Sequence, residues 1–96
     1  MRRAAKVDAN QDEIAKAYRK AGWSVRSTAQ LGDGFPDLVV APPWPFGGVF
    51  LIEVKVPKGR TRDKQETFAL RFPVKVVRTV EQAADQMDEA YEEYSR

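Results

Sequence analysis

The chain has 96 residues, with 16 Lys/Arg against 14 Asp/Glu, and contains neither cysteine nor histidine. This length predicts one domain, residues 1–96, with a single modest core. The composition excludes disulfides, thiolate zinc sites, cysteine nucleophiles and the commonest general base. Any catalysis must therefore use carboxylate, lysine, hydroxyl or metal-bound water.

The small net charge conceals an uneven distribution. Residues 1–80 hold 15 Lys/Arg and 8 Asp/Glu, whereas residues 81–96 hold 1 and 6. A basic body suits a phosphate backbone, and the acidic segment is expected to face away from nucleic acid or contact another subunit. No apolar run approaches the ~20 residues that cross a bilayer, and no signal peptide is recognisable. We therefore expect a cytoplasmic protein without a membrane partner.

The first predicted helix begins near Asp8 or Asn10 and ends at Gly22. An apolar stripe at helical spacing is predicted to face the core; it comprises Ile14, Ala17, Tyr18 and Ala21. Residues 23–28 alternate in polarity, which predicts the first strand. Trp23 is better interpreted as a core residue than as a stacking platform.

Two apolar, β-branched runs follow, at residues 35–40 and 49–55, and each is bounded by turn residues. If they pair as a hairpin, Asp37 comes close to Glu53, while the alternation of strand side chains puts Glu53 and Lys55 on one face. Buried strands seldom carry charge, because an unpaired ion out of water is costly. Two interpretations remain open here: a buried salt bridge, or a functional site.

The functional interpretation has a definite chemistry. Asp37 and Glu53 would offer hard oxygen ligands to one or two Mg²⁺ or Mn²⁺ ions, with the carbonyl of Val54 as a further ligand. Lys55 would orient or deprotonate a water, or neutralise charge on a phosphorane-like transition state. The loop that follows carries cations suited to phosphates, unless it is simply a solvated basic turn; these are Lys58, Arg60 and Arg62.

The connection between the two runs, residues 42–48, is too apolar for an ordinary solvated turn. Trp44 and Phe46 have three possible placements, ranked in this order: packing on the core, burial in a dimer, and wedging against bases. The ranking follows from the observation that exposed apolar loops mark protein interfaces more often than DNA wedges.

The remaining chain predicts a helix from Arg62 or Asp63 to Phe72, then a strand over residues 74–78 beside the central pair. Phe68, Leu70 and Phe72 are expected to turn inward. A final acidic amphipathic helix covers about residues 80–95, with Thr79 and Gln82 as its capping box. The order α-β-β-β-α-β-α predicts an α/β sandwich with a small mixed sheet, and a core over about residues 8–80.

Four short motifs, in this order along the chain, resemble the PD-(D/E)xK nuclease superfamily. The details are similar to its VRR-NUC branch, which includes small stand-alone nucleases of phages and bacteria. The motifs are the acid-bearing helix start at 10–14, G-x-P-D-L at 34–38, an apolar E-x-K strand at 50–55, and a glycine, spacer and glutamine at 59–65.

The resemblance implies a restriction-endonuclease-like core and adds two residues to the site. Glu13, with Asp12 as the fallback, would complete the metal site from the first helix. Gln65 would orient groups in the active site. For both residues an ordinary surface role remains the alternative.

The resemblance also implies a function, namely a Mg²⁺- or Mn²⁺-dependent DNA endonuclease in a bacterial or phage-infected cell. It would act as a homodimer on branched DNA, with the Holliday junction as the preferred substrate and no nucleotide cofactor. Two alternatives stay open. One is a non-catalytic nucleic-acid-binding module, or a nuclease subunit that needs a partner. The other is a metal-dependent phosphatase or nucleotide hydrolase.

Overall fold

A computed structural model describes residues 9–56 and 63–94. Its elements, in chain order, are α1 (Ala9–Lys20), β1 (Ser24–Ser27), a 3₁₀ turn (Ala29–Leu31), β2 (Leu38–Ala41), β3 (Phe50–Val54), α2 (Asp63–Arg71), β4 (Val74–Val77) and α3 (Val80–Tyr94). This order confirms the predicted α/β arrangement. Within these two ranges, no helix has the length and apolar character needed to cross a bilayer.

The four strands form one mixed sheet in the order β1-β2-β3-β4. The pairs β1/β2 and β2/β3 are antiparallel, and β3/β4 is parallel. Leu38 pairs with Ile52, and Val40 pairs with Phe50. The start of β2 therefore lies beside the end of β3, and the connecting loop lies at the opposite end of this hairpin.

The main core lies where α1 and α3 pack on the sheet and on each other. Apolar burial is supplemented by two hydrogen bonds that join distant parts of the chain. The Tyr18 hydroxyl donates to Gln86 Oε1 at 2.7 Å, and Trp23 Nε1 donates to the Tyr91 hydroxyl at 2.8 Å. Trp23 is 3% exposed, which confirms its interpretation as a core residue.

The buried stripe of α1 differs partly from the prediction. The helix buries Gln11, Ile14, Ala15 and Tyr18. Ala17 is half-buried and Ala21 is exposed. The difference at Ala21 arises because the helix ends at Lys20, so this residue already belongs to the turn at Gly22.

A capping box begins α3, as the sequence predicts. Gln82 N donates to Thr79 Oγ1 at 3.0 Å, and Gln82 Oε1 accepts from Arg78 N at 2.7 Å. The side chain of Gln82 thus reaches one residue further back than in the usual box.

The inward prediction is right for Phe68 on α2 and wrong for Leu70 and for Phe72, which follows the helix and is 48% exposed. Phe68 is half-buried, with its ring centroid 5.1 Å from that of Phe35 and 4.5 Å from that of Phe72. Leu70 is 86% exposed. Two residues correspond to a rotation of roughly 200° around a helix. The face that packs Phe68 therefore turns Leu70 towards solvent.

The two aromatic residues of the loop at residues 42–48 have different environments. Phe46 packs back on α3, with its ring centroid 4.7 Å from Tyr91 and 5.1 Å from Tyr94. The Tyr94 hydroxyl also donates to the carbonyl of Pro45 at 2.9 Å. Trp44, by contrast, is 91% exposed. Packing on the core is thus correct for Phe46 and wrong for Trp44.

Candidate active site

Asp37 immediately precedes β2 and is fixed against β3. Its Oδ2 accepts a hydrogen bond from Val54 N at 2.9 Å. The turn before it is held by Thr28, whose amide donates to the Asp37 carbonyl at 2.7 Å and whose hydroxyl donates to the Pro36 carbonyl at 2.6 Å. The position of the Asp37 carboxylate is therefore set by backbone contacts on both sides.

Glu53, Lys55 and Gln65 form a closed set of contacts. Lys55 Nζ lies 3.3 Å from Glu53 Oε2 and donates to Gln65 Oε1 at 2.6 Å. Gln65 Nε2 in turn donates to Glu53 Oε2. The side chains of Lys55 and Glu53 are 12% and 5% exposed. As expected from strand alternation, Glu53 and Lys55 share a face, and α2 brings Gln65 to both.

The environment raises the pKa of Glu53 from its ordinary value of 4.5 to about 7. Burial is the largest cause, and the neighbouring Asp37 charge adds to it. Lys55 opposes the rise through its charge and its hydrogen bond, and a hydrogen bond between the two carboxyl groups adds to it. Near neutral pH, Glu53 is thus balanced between its protonated and ionised forms, and an added cation would favour ionisation.

Asn10 is a structural contributor that the sequence reasoning missed. Its Nδ2 donates to the carbonyl of Lys55 at 2.9 Å and to the carbonyl of Arg78 at 3.1 Å. One amide group thereby ties the start of α1 to the ends of β3 and β4. The sequence offers Asn10 as a helix cap, but contacts 45 and 68 residues away leave no local signal.

The structure does not bring together every residue predicted for the site. Glu13 is exposed on α1. Across residues 9–56 and 63–94, no three acidic side chains gather in a group that could hold a metal. The role of Glu13 therefore stays a prediction, as does the Val54 carbonyl as a ligand. The predicted phosphate contacts Lys58, Arg60 and Arg62 lie outside the described residues.

A solved structure described as a VRR_NUC domain is similar to this chain, with a TM-score of 0.66 and 26% sequence identity. The match covers 81% of this chain and 89% of that chain. No family model and no curated protein matches the sequence. The shared architecture is the mixed four-stranded sheet flanked by helices. In this chain, one end of the central hairpin holds Asp37 and Glu53.

The chain has the fold of a VRR_NUC domain.

This similarity supports a nuclease-type domain, which agrees with the motif order found in the sequence. Its fold confirms the restriction-endonuclease-like architecture that the resemblance implied. Asp37 lies at the same end of the hairpin as the contacts that join Glu53, Lys55 and Gln65, so these four side chains form the candidate active site.

Proposed function

We propose that the protein is a divalent-metal-dependent endonuclease that hydrolyses phosphodiester bonds of DNA. The observation that carries this proposal is the cluster of buried Glu53 with half-buried Lys55 and Gln65, beside Asp37. Two carboxyl groups this close repel each other when both are ionised, and burial raises that cost. Such an arrangement is better explained by a cation-binding role than by stability.

The donor set fits Mg²⁺ or Mn²⁺. These ions prefer oxygen ligands, and Mg²⁺ usually keeps several waters while binding one or two carboxylates and substrate phosphates. Asp37 and Glu53, with the Val54 carbonyl, would hold the ion, and Glu13 would contribute directly or through water. A bound ion would supply charge neutralisation at the phosphate and make a water more acidic.

The protein's own groups have separable roles in this proposal. Lys55 places a positive charge next to Glu53, where it would neutralise charge developing on a phosphate oxygen or position the attacking water. Gln65 binds both of these side chains, so it orients the lysine ammonium relative to the carboxylate. The hydrogen bond from Val54 N occupies one oxygen of Asp37, so the carboxylate group is held in a defined orientation.

We further propose DNA, in branched form, as the substrate and a homodimer as the active species. The basic charge of residues 1–80 supports a phosphate-backbone partner. A domain of this size without a separate base-reading module suits recognition of DNA shape. A two-fold dimer would present paired sites to a four-way junction, which is why this substrate is preferred. Lys58, Arg60 and Arg62 would contact the backbone.

The test is cleavage of a labelled four-way junction beside duplex, flap and single-stranded controls. Each substrate is incubated with Mg²⁺, Mn²⁺ or EDTA. Wild type is compared with Lys55→Ala and with the matched control Lys16→Ala, which removes an exposed lysine from α1. We expect metal-dependent, symmetric nicks in the junction, retained in Lys16→Ala and reduced at least about 100-fold in Lys55→Ala.

The other outcomes separate the parts of the proposal. Cleavage of every substrate would keep the nuclease and remove the junction preference. Equal loss in both lysine variants would contradict a specific role for Lys55. DNA binding that persists in EDTA, without cleavage in either metal, would favour a non-catalytic binding module.

A further inference from the structure

The two edges of the sheet differ in character. β1 reads Ser-Val-Arg-Ser and β4 reads Val-Lys-Val-Val. Val76 is 45% exposed, and within residues 9–56 and 63–94 no strand pairs with the outer edge of β4. A β-branched edge strand presents unpaired backbone groups that another strand can complete.

A groove of about 390 Å³ runs between β4 and α3. Its strand side is formed by residues 75–78, and its helix side by Gln82, Asp85, Gln86 and Glu89. Gln86 is 4% exposed, and its Oε1 is bound by Tyr18, but its Nε2 has no partner in the part of the chain that the structure describes. A buried donor in this state is costly.

We propose that β4 pairs with β4 of a second copy of this chain, antiparallel, about a two-fold axis at Val76. The two four-stranded sheets would then form one continuous sheet of eight strands. This inference rests on the homodimer of the proposed function and identifies the surface through which it forms.

The register follows from the side chains. In an antiparallel pair, residues directly opposite each other project to the same face. An axis at Lys75 would oppose two lysines, whereas an axis at Val76 opposes two half-exposed valines. Lys75 then lies opposite Val77 of the second copy.

Charge complementarity favours a second copy over an unrelated peptide. Lys75 and Val77 line the same groove as Asp85 and Glu89, so a Lys75 opposite Val77 of the second copy would lie beside the acidic walls of both copies. An edge lysine ordinarily discourages strand pairing. Here Lys75 would have acidic groups of its own copy and of the second copy nearby, so its charge would not oppose the pairing.

This pairing has a consequence for the two active sites. Glu53 pairs with Val76 across β3 and β4, and both line a small pocket together with Gln65. One line across the joined sheet would therefore contain Glu53 and Val76 of the first copy, followed by Val76 and Glu53 of the second. Three strand spacings separate the two glutamates by roughly 15 Å, on the same face. Two strands of one bound nucleic acid would then each contact one of the two adjacent active sites.

Disulfide cross-linking tests the register, because the natural chain has no cysteine. Directly opposed strand residues have Cα atoms about 4.5–5.5 Å apart, within reach of a disulfide. Val76→Cys is compared under mild oxidation with two control variants. Lys75→Cys lies one residue from the proposed axis, so its two copies are not directly opposed. Val49→Cys lies in the loop, where the residue is 65% exposed. Circular dichroism checks the fold of each variant, and sedimentation velocity gives the mass of wild type.

We expect wild type to sediment as a dimer, and Val76→Cys to form a covalent dimer at least about tenfold faster than the other two variants. Equal rates for all three variants, with wild type still dimeric, would overturn this surface and keep the homodimer. A wild type that stays monomeric at about 100 μM, where micromolar association would be populated, would overturn both the surface and the homodimer. Metal-dependent cleavage would be judged separately by the junction assay.

Discussion

At one end of the hairpin formed by β2 and β3, charged and amide side chains are buried or half-buried and bound to one another. At the other end, Phe46 packs between Tyr91 and Tyr94, and Trp44 projects into solvent. The first end gathers groups whose burial costs free energy. The second end supplies apolar packing that offsets such costs. We infer that stability and chemistry are separated along these two strands, and the following experiments are ordered by their expected effect on stability.

The largest change is expected from pH, at the charged end. Because folding raises the pKa of Glu53 from 4.5 to about 7, the folded state holds this proton more tightly than the unfolded state. The stabilisation that the protonated Glu53 contributes is complete below pH 4.5 and is lost as pH rises through 7. The free energy of unfolding should fall by up to about 3 kcal/mol over this window.

Glu53→Gln isolates that contribution, since glutamine does not titrate. Denaturant unfolding of metal-free wild type and Glu53→Gln at pH 4.5, 6 and 8 should show wild type losing stability relative to the variant as pH rises. A difference that is constant across pH would contradict the assignment. Added Mg²⁺ should reduce the loss in wild type and leave the variant unchanged.

At the apolar end, Phe46→Ala should lower the free energy of unfolding by about 2 kcal/mol, less than for a fully buried phenylalanine. Trp44→Ala is the matched control, because Trp44 is 91% exposed; we expect a change within about 0.5 kcal/mol. Both variants should retain junction cleavage at temperatures where they are folded. A loss of cleavage in folded Phe46→Ala would break the separation between the two ends.

Asn10→Ala removes both hydrogen bonds that tie α1 to the ends of β3 and β4. We expect the free energy of unfolding to fall by about 1–2 kcal/mol, because two part-buried carbonyls lose their donor. Lys55 should also be less well positioned, so kcat should fall while KM changes little. Asn10→Gln tests the geometry: if the longer amide restores stability and not kcat, Asn10 acts by positioning.

Gln65→Ala should change stability by less than about 0.5 kcal/mol, because Gln65 is only half-buried and its partners remain paired with each other. Its effect should appear in cleavage, where we expect kcat to fall about tenfold as Lys55 loses its orientation. Gln82→Ala, which removes the acceptor of the Arg78 amide at the cap of α3, serves as the structural comparison: it should lower stability by about 1 kcal/mol and leave kcat intact. The opposite pattern would contradict both assignments.

The sequence predicts the order of the elements, the hairpin and the closeness of Asp37, Glu53 and Lys55. These features follow from local patterns: alternation, turn residues and helical spacing. It fails where the tertiary arrangement decides the outcome. The direction of Leu70 depends on which face of α2 meets the sheet. The double hydrogen bond of Asn10 depends on three segments meeting. The division of the loop between Phe46 and Trp44 depends on where α3 lies.

The hydrogen bonds that tie residues 10–23 to the C-terminal part of the chain also set the order in which activity can arise during synthesis. Asn10 to Arg78, Tyr18 to Gln86 and Trp23 to Tyr91 are each separated by 68 residues. Such distant contacts form late, because the chain must first close a long loop. A nascent chain that ends before residue 80 is therefore expected to lack cleavage activity, although it already contains Asp37, Glu53 and Lys55. Nucleic acid near the ribosome would be protected from the enzyme until α3 is complete.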